Sequence, residues 1–221
     1  MSDLKLEKTI LKKIERISSY NYKFNNLKET DLKKQIPCQI VITNDWLSKK
    51  LTKEEIDYLI KNSDLKHCDI AGCDCLMLVL PNNQYKNLNL DNEIINYLIK
   101  NSDLKHTTVN GWNSLMLALF YDHDQNLNLN QEQWQYLVEN SDLLTQNNGR
   151  TLSVIGFCIK HKPELIEVVL EKVIKNKKFN LKNYRTDENY QEISKWLKIF
   201  KIKKNIENNI KKIKNKNITK I

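Results

Sequence analysis

The chain has 221 residues, with 36 Lys and Arg against 27 Asp and Glu, but only 4 glycines and 3 prolines. That scarcity of turn residues argues against an all-β fold, and no apolar run approaches the roughly 20 residues a bilayer span needs. The formal charge of +9 is local: residues 195–221 carry ten lysines against Glu207 alone, and the rest of the chain is neutral.

Five cysteines, three of them crowded at Cys68, Cys73 and Cys75, do not suggest a disulfide framework and fit a reducing compartment. The opening MSDLKLEKTI has acids and no continuous apolar stretch, so no secretory signal is visible. A cytoplasmic protein is expected.

Residues 1–36 are expected to form an N-terminal helical cap. Leu6, Ile10, Ile14 and Ile17 have helical spacing among lysines, as suits a segment covering the apolar end of a stack. Tyr20 to Thr30 is polar and irregular, and Asp31 to Ile36 suits one helical turn stopped before Pro37. Cys38 to Leu47 occupies the place of a degenerate half repeat (37–65).

From Leu51 onward one text is written almost three times. YLIKNSDL stands at Tyr58 to Leu65 and at Tyr97 to Leu104, and YLVENSDL at Tyr136 to Leu143, each 39 residues after the last. A fixed period of this size is the mark of stacked repeats. Thr52, Asp91 and Asn130 are placed as helix caps, with Thr52/Glu55 spelling a capping box and Asn130/Gln133 approximating one. Leu51 with Ile56, Leu90 with Ile95, and Leu129 with Trp134 have the spacing of hydrophobic staples. Ile56, Leu59 and Ile60, then Ile95, Leu98 and Ile99, then Trp134, Leu137 and Val138 predict one buried face per helix. Asn62, Asn101 and Asn140 are expected to stop these helices in a left-handed conformation.

A second helix per unit is expected two residues after a glycine: Gly72 then Asp74, Gly111 then Asn113, Gly149 then Thr151. Val79, Ala118 and Gly156 would be the matching slim positions. Gly-x-cap followed by Leu-Met-x-Ala at Gly111 to Ala118, and the closing NSDL, resemble the ankyrin repeat's G-x-T-P-L-H-x-A and G-A-D-V. The departures are the missing proline, Met77 and Met116 in place of histidine, and longer inter-helix loops at Pro81 to Asn87 and Tyr121 to Asn126. The fold class expected is all-α, a helix-turn-helix solenoid with helical caps at both ends. Its repeats would span 37–179, with full units at 66–104, 105–143 and 144–179, and a C-terminal cap and basic tail at 180–221.

In the last unit Pro163 and Glu164 make a first helical turn, with Leu165, Ile166, Val169, Leu170 and Val173 as its buried face. After Asn180 the period is lost. Thr186 or Asp187 would cap a final helix whose Ile193, Trp196, Leu197 and Phe200 cluster on one side. Beyond it, Ile202, Ile206, Ile210 and Ile213 keep a narrow stripe.

Three constellations contain chemically able residues. His67, Cys68, Cys73 and Cys75 include zinc-ligand types, but the next unit puts His106, Thr107, Trp112 and Ser114 at those places, so thiols in a turn are the favoured reading. Cys158 and His161 share a helix face without an orienting third group. Asp122, His123 and Asp124 read as a solvated loop. No phosphate loop, nucleophile elbow or paired-histidine motif is found. The reading is a non-enzyme with no cofactor and no metal.

The resemblance implies a partner-binding surface at the tips between repeats. The candidates there are Lys66, His67, Asp69, Ile70, Lys105, His106, Thr108, Val109, Trp112, Gln146 and Arg150, with Trp112 as aromatic anchor or, equally, half-buried against a neighbouring tip. The expected partner is another protein, and the expected state a monomer. The alternative is a binder of nucleic acid or anionic membrane through Lys201, Lys203, Lys204, Lys211, Lys212, Lys214 and Lys216. The wealth of Asn, Lys and Ile suits an AT-rich genome such as that of an intracellular bacterium, and an effector or adaptor delivered into a host cell is the conjecture drawn from it.

Overall fold

A computed structural model describes residues 5, 6, 8–10, 12, 13, 49–80, 90–125 and 127–218. Among these the fold is all-helical, without strands; one isolated antiparallel bridge joins Gln146 and Ser153. Cys38 to Leu47 of the expected half repeat, Ile14 and Ile17 of the expected N-terminal helix, the segments at 20–36 and the loop at 81–87 lie outside the described residues. The chain divides into two compact units, Met1–Ser141 and Asp142–Ile221.

The first unit contains α1 (Lys53–Asn62), α2 (Cys75–Val79), α3 (Asn92–Asn101), α4 (Ser114–Gln125) and α5 (Gln131–Asn140). Each long copy of the repeated text starts as its sequence dictates. Thr52, Asp91 and Asn130 accept from the amides of Glu55, Ile94 and Gln133, and both capping boxes close. The three predicted apolar faces are all buried. They bring α3 against both α1 and α5, while α2 packs on α3 and α4, and α4 on α5. The N-terminal residues described are helical and bury Ile10. Lys13 there reaches the nearly buried Glu55 at 2.6 Å, so one carboxylate serves both the capping box and this ion pair.

The helix ends work differently from the expectation. Ser63, Ser102 and Ser141, the C-caps, are extended rather than left-handed. The asparagines act through their side chains: Nδ2 of Asn62, Asn101 and Asn140 donates to the carbonyls of Tyr58, Tyr97 and Tyr136, each at 2.8 Å. The aspartate after the serine then folds the exit, because Oδ1 of Asp64, Asp103 and Asp142 accepts the amide two residues on. The leucine that follows is buried in every copy. The repeated NSDL text is thus a C-terminal bond, a cap, a turn and a core contact in four consecutive residues.

Tyr121–Gln125 is not part of a long loop, because α4 runs through it to Gln125. Asp122, His123 and Asp124 are therefore helical residues.

The second unit contains α6 (Val154–His161), a 3-10 turn at Pro163–Leu165, α7 (Ile166–Lys175), a second 3-10 turn at Leu181–Tyr184, and α8 (Tyr190–Ile218). Ile166, Val169, Leu170 and Val173 are buried, and α6 packs against α7 and α8. The cap of α6 is Ser153, whose side chain accepts from the amide of Gly156, rather than Thr151. Counting from Ser153, Cys158 matches Val79 and Ala118, and Gly156 stands where the other copies bury Met77 and Met116. The final helix begins at Tyr190, three residues after Asp187, and it buries Ile193, Leu197 and Phe200.

Candidate functional site

Between the long and short helices of each copy the chain makes a small hairpin. In the first, the amide of Asp69 donates to Cys73 O at 3.0 Å and that of Gly72 to Asp69 O at 2.9 Å. The Asp69 carboxylate accepts from the amides of Ala71 and Cys73. The second repeats this with Thr108, Trp112 and Gly111. Gly72 and Gly111 turn the chain at φ 75 and 77, a left-handed region that glycine enters without steric cost.

The third hairpin, in the second unit, is one residue longer. Asn147 donates to Leu152 O, and its Oδ1 accepts from Thr151 and Leu152. The left-handed residue is Arg150, at φ 54, and not Gly149. Arg150 therefore matches Gly72 and Gly111, while Leu152 matches Cys73 and Trp112. Asp69, Thr108 and Asn147 hold the turn with their side chains.

The first two hairpins are joined by main chain. The amide of Val109 donates to Ala71 O at 3.0 Å, and Nε2 of His106 lies 3.0 Å from Gly72 O and 3.2 Å from Sγ of Cys68. A carbonyl only accepts, so Nε2 carries the proton, and Cys68 turns its own S–H toward Lys66 O at 3.4 Å. A Cβ on Gly72 would fall 3.1 Å from the backbone of Thr108 and Val109. The glycine is thus needed twice, for its torsion and for this approach. On top of the seam Ile70 is fully exposed and Val109 is 60% exposed.

The second unit has the same seam with a partner that lacks any repeat glycine. The amide of Glu188 donates to Thr151 O, and Oγ1 of Thr186 to Arg150 O, both at 2.9 Å. Gln146 Nε2 reaches Asn183 O at 3.4 Å. Residues 176–189 therefore act as a fourth hairpin-like segment. Its legible sign is Asn176, which accepts the amide of Lys178 as the repeat aspartates do, with Phe179 N closing on Asn176 O. A cleft of about 560 Å³ lies on this seam, lined by Leu144, Gln146, Asn147, Asn148, Arg150 and Asn183. Gln146 and Arg150 are among the residues expected at the tips, and Asn147, Asn148 and Asn183 are not.

Trp112 is half-buried and meets Phe120 edge-on at 5.6 Å, so its ring is partly committed to the scaffold. Lys66 and Lys105 are exposed, and His67 and His106 half-buried. The lysines of the tail lie on α8, where Lys201, Lys211 and Lys212 are exposed, Lys203 pairs with Glu167 and Lys204 with Glu207.

The thiols are poorly suited to nucleophilic or metal chemistry, which needs thiolate. Burial pushes Cys73 up to about 11, and burial with Asp74 and Asp69 raises Cys68. Cys158 is fully buried and displaced strongly upward, while His161 rests on Phe157. Cys75 is disulfide-bonded, which the cysteine count did not suggest. No cluster of three or more His, Cys, Asp or Glu able to hold a metal occurs among the described residues. No protein-family model matches the chain and no curated protein matches it.

Proposed function

We propose that this chain is a non-catalytic protein-binding module, a helical solenoid of the ankyrin-repeat type that receives its partner across the hairpin tips. What carries the reading is the pairing of a peptide seam with outward apolar side chains. Ile70 and Val109 stand in water on two hairpins locked together through Val109 N and Ala71 O. Exposed apolar groups on a rigid support lose little entropy on binding, which is what a recognition surface requires. In the second unit, taken by itself, the cleft at Arg150 holds a guanidinium and several amides, a set able to receive a carboxylate or a peptide backbone.

The test is affinity capture with the full chain, comparing wild type with Ile70→Ser/Val109→Ser and with Arg150→Ala. A partner lost with the tip variants and kept when Lys198 and Lys212 become Gln supports the reading. A ligand indifferent to the tip variants and lost at moderate salt or with the lysine substitutions counts against it.

A further inference from the structure

The described part of α8 has two apolar faces. Ile193, Leu197 and Phe200 are buried, in a helix that packs on α6 and α7. At 100° per residue, Ile199, Ile202, Ile206 and Ile210 fall on another face, roughly 150° around the helix, and they are 47%, 60%, 54% and 48% exposed. Four half-exposed isoleucines in one stripe are a liability in water unless something covers them.

The charges around the stripe select the occupant. From Lys195 onward the chain carries ten lysines and one acid, Glu207, and that acid is paired with Lys204. Lys198 and Lys203 border the stripe on either side, and Lys201, Lys211 and Lys212 cover much of the remaining surface. A second copy of the helix would bring like charges together along the seam. A nucleic acid would use the lysines and leave the isoleucines in water. An anionic bilayer surface uses both, taking the apolar stripe among its acyl chains and the ammonium groups among its headgroups. None of the described helices is long and apolar enough to cross a membrane, so this helix would lie in the interface.

We propose that α8 docks in the plane of an anionic phospholipid surface through Ile199, Ile202, Ile206 and Ile210. The full chain is sedimented with vesicles of phosphatidylcholine alone and of phosphatidylcholine with phosphatidylserine in a three-to-one mixture. Binding is expected only where phosphatidylserine is present. Ile202→Ser/Ile206→Ser should lower partitioning by about tenfold or more, and Lys198→Gln and Lys212→Gln by about fivefold each. The two sets of variants are independent, and far-UV circular dichroism verifies that each stays helical. Failure to bind anionic vesicles at low salt overturns the proposal, as does binding that the serine variants leave unchanged. So does a dimer in solution that the serine variants dissolve while wild type ignores vesicles, or capture by an acidic helical peptide without vesicle binding. The tip variants Ile70→Ser/Val109→Ser should leave vesicle binding unaltered.

Discussion

Gly156 and Asp187 share one space: a Cβ on the glycine would stand 2.9 Å from Oδ1 of the aspartate, and 2.9 Å from Nδ2 of Asn189. Asp187 is 4% exposed and hydrogen-bonds the amide of Asn189. The missing side chain is thus filled from the turn that leads into α8. Gly156→Ala gains helix propensity of up to about 1 kcal/mol but must displace the buried Asp187 and half-buried Asn189 side chains, at about 1–3 kcal/mol. A net loss of about 1–2 kcal/mol is expected in urea unfolding. The loss should shrink when Asp187 is also replaced by Ala, since the two sites are coupled.

Asp74 should make stability depend on pH. Its Oδ1 caps α2 at the amide of Met77, its Oδ2 finds no donor among the described residues, and burial raises its pKa from 3.8 to about 6. A carboxyl raised on folding favours the folded state below its unfolded pKa, and that contribution disappears as pH rises through the folded pKa. Between pH 4 and 6 the term falls by about 2–3 kcal/mol. The next copy places Asn113 at this cap. Asp74→Asn should therefore stabilise the protein at pH 7 by about 2 kcal/mol, with the difference from wild type closing near pH 4 in parallel thermal melts.

Asp91 separates capping from charge. Its Oδ1 accepts from Ile94 N and its Oδ2 from Lys53 Nζ. Asp91→Ala should cost about 1–2 kcal/mol, the usual value of a lost cap. Asp91→Asn keeps the cap and gives up an exposed ion pair, and should leave denaturant midpoints nearly unchanged.

Arg150 is strained where it stands. A left-handed non-glycine residue costs about 1–2 kcal/mol, and glycine recovers part of that against its freedom when unfolded. Arg150→Gly is expected to raise stability by about 0.5–1 kcal/mol in urea unfolding while removing the guanidinium from the cleft. Weaker partner binding by a more stable protein would separate recognition from folding at this residue.

The starts and buried faces of the long helices were legible because each depends on side chains within a single turn. Thr52 and Glu55, or Ile95, Leu98 and Ile99, carry their instruction locally. The third hairpin was misread because Gly149 and Thr151 imitate the glycine and cap of the other copies. Only the count exposes the extra residue: Ser153 lies 11 after Asp142, whereas Asp74 and Asn113 lie 10 after Asp64 and Asp103. The fourth hairpin was missed because it lacks a repeat glycine and its main-chain bond, Glu188 N to Thr151 O, leaves no residue signature; Asn176 alone marks it. The asparagines at the helix ends were placed correctly and given the wrong bond. The cleft escaped notice because Asn183 meets Gln146 across 37 residues of chain.

The link between Val109 N and Ala71 O is made of groups that almost every amino acid possesses. Its demands fall on Gly72, while the side chains of Ile70 and Val109 riding above it contribute no atom to the joint. Ile70 and Val109 could be exchanged for charged, aromatic or polar types with little effect on folding. A lineage carrying this chain could change the surface it presents there by a handful of codon changes, without rebuilding the support underneath.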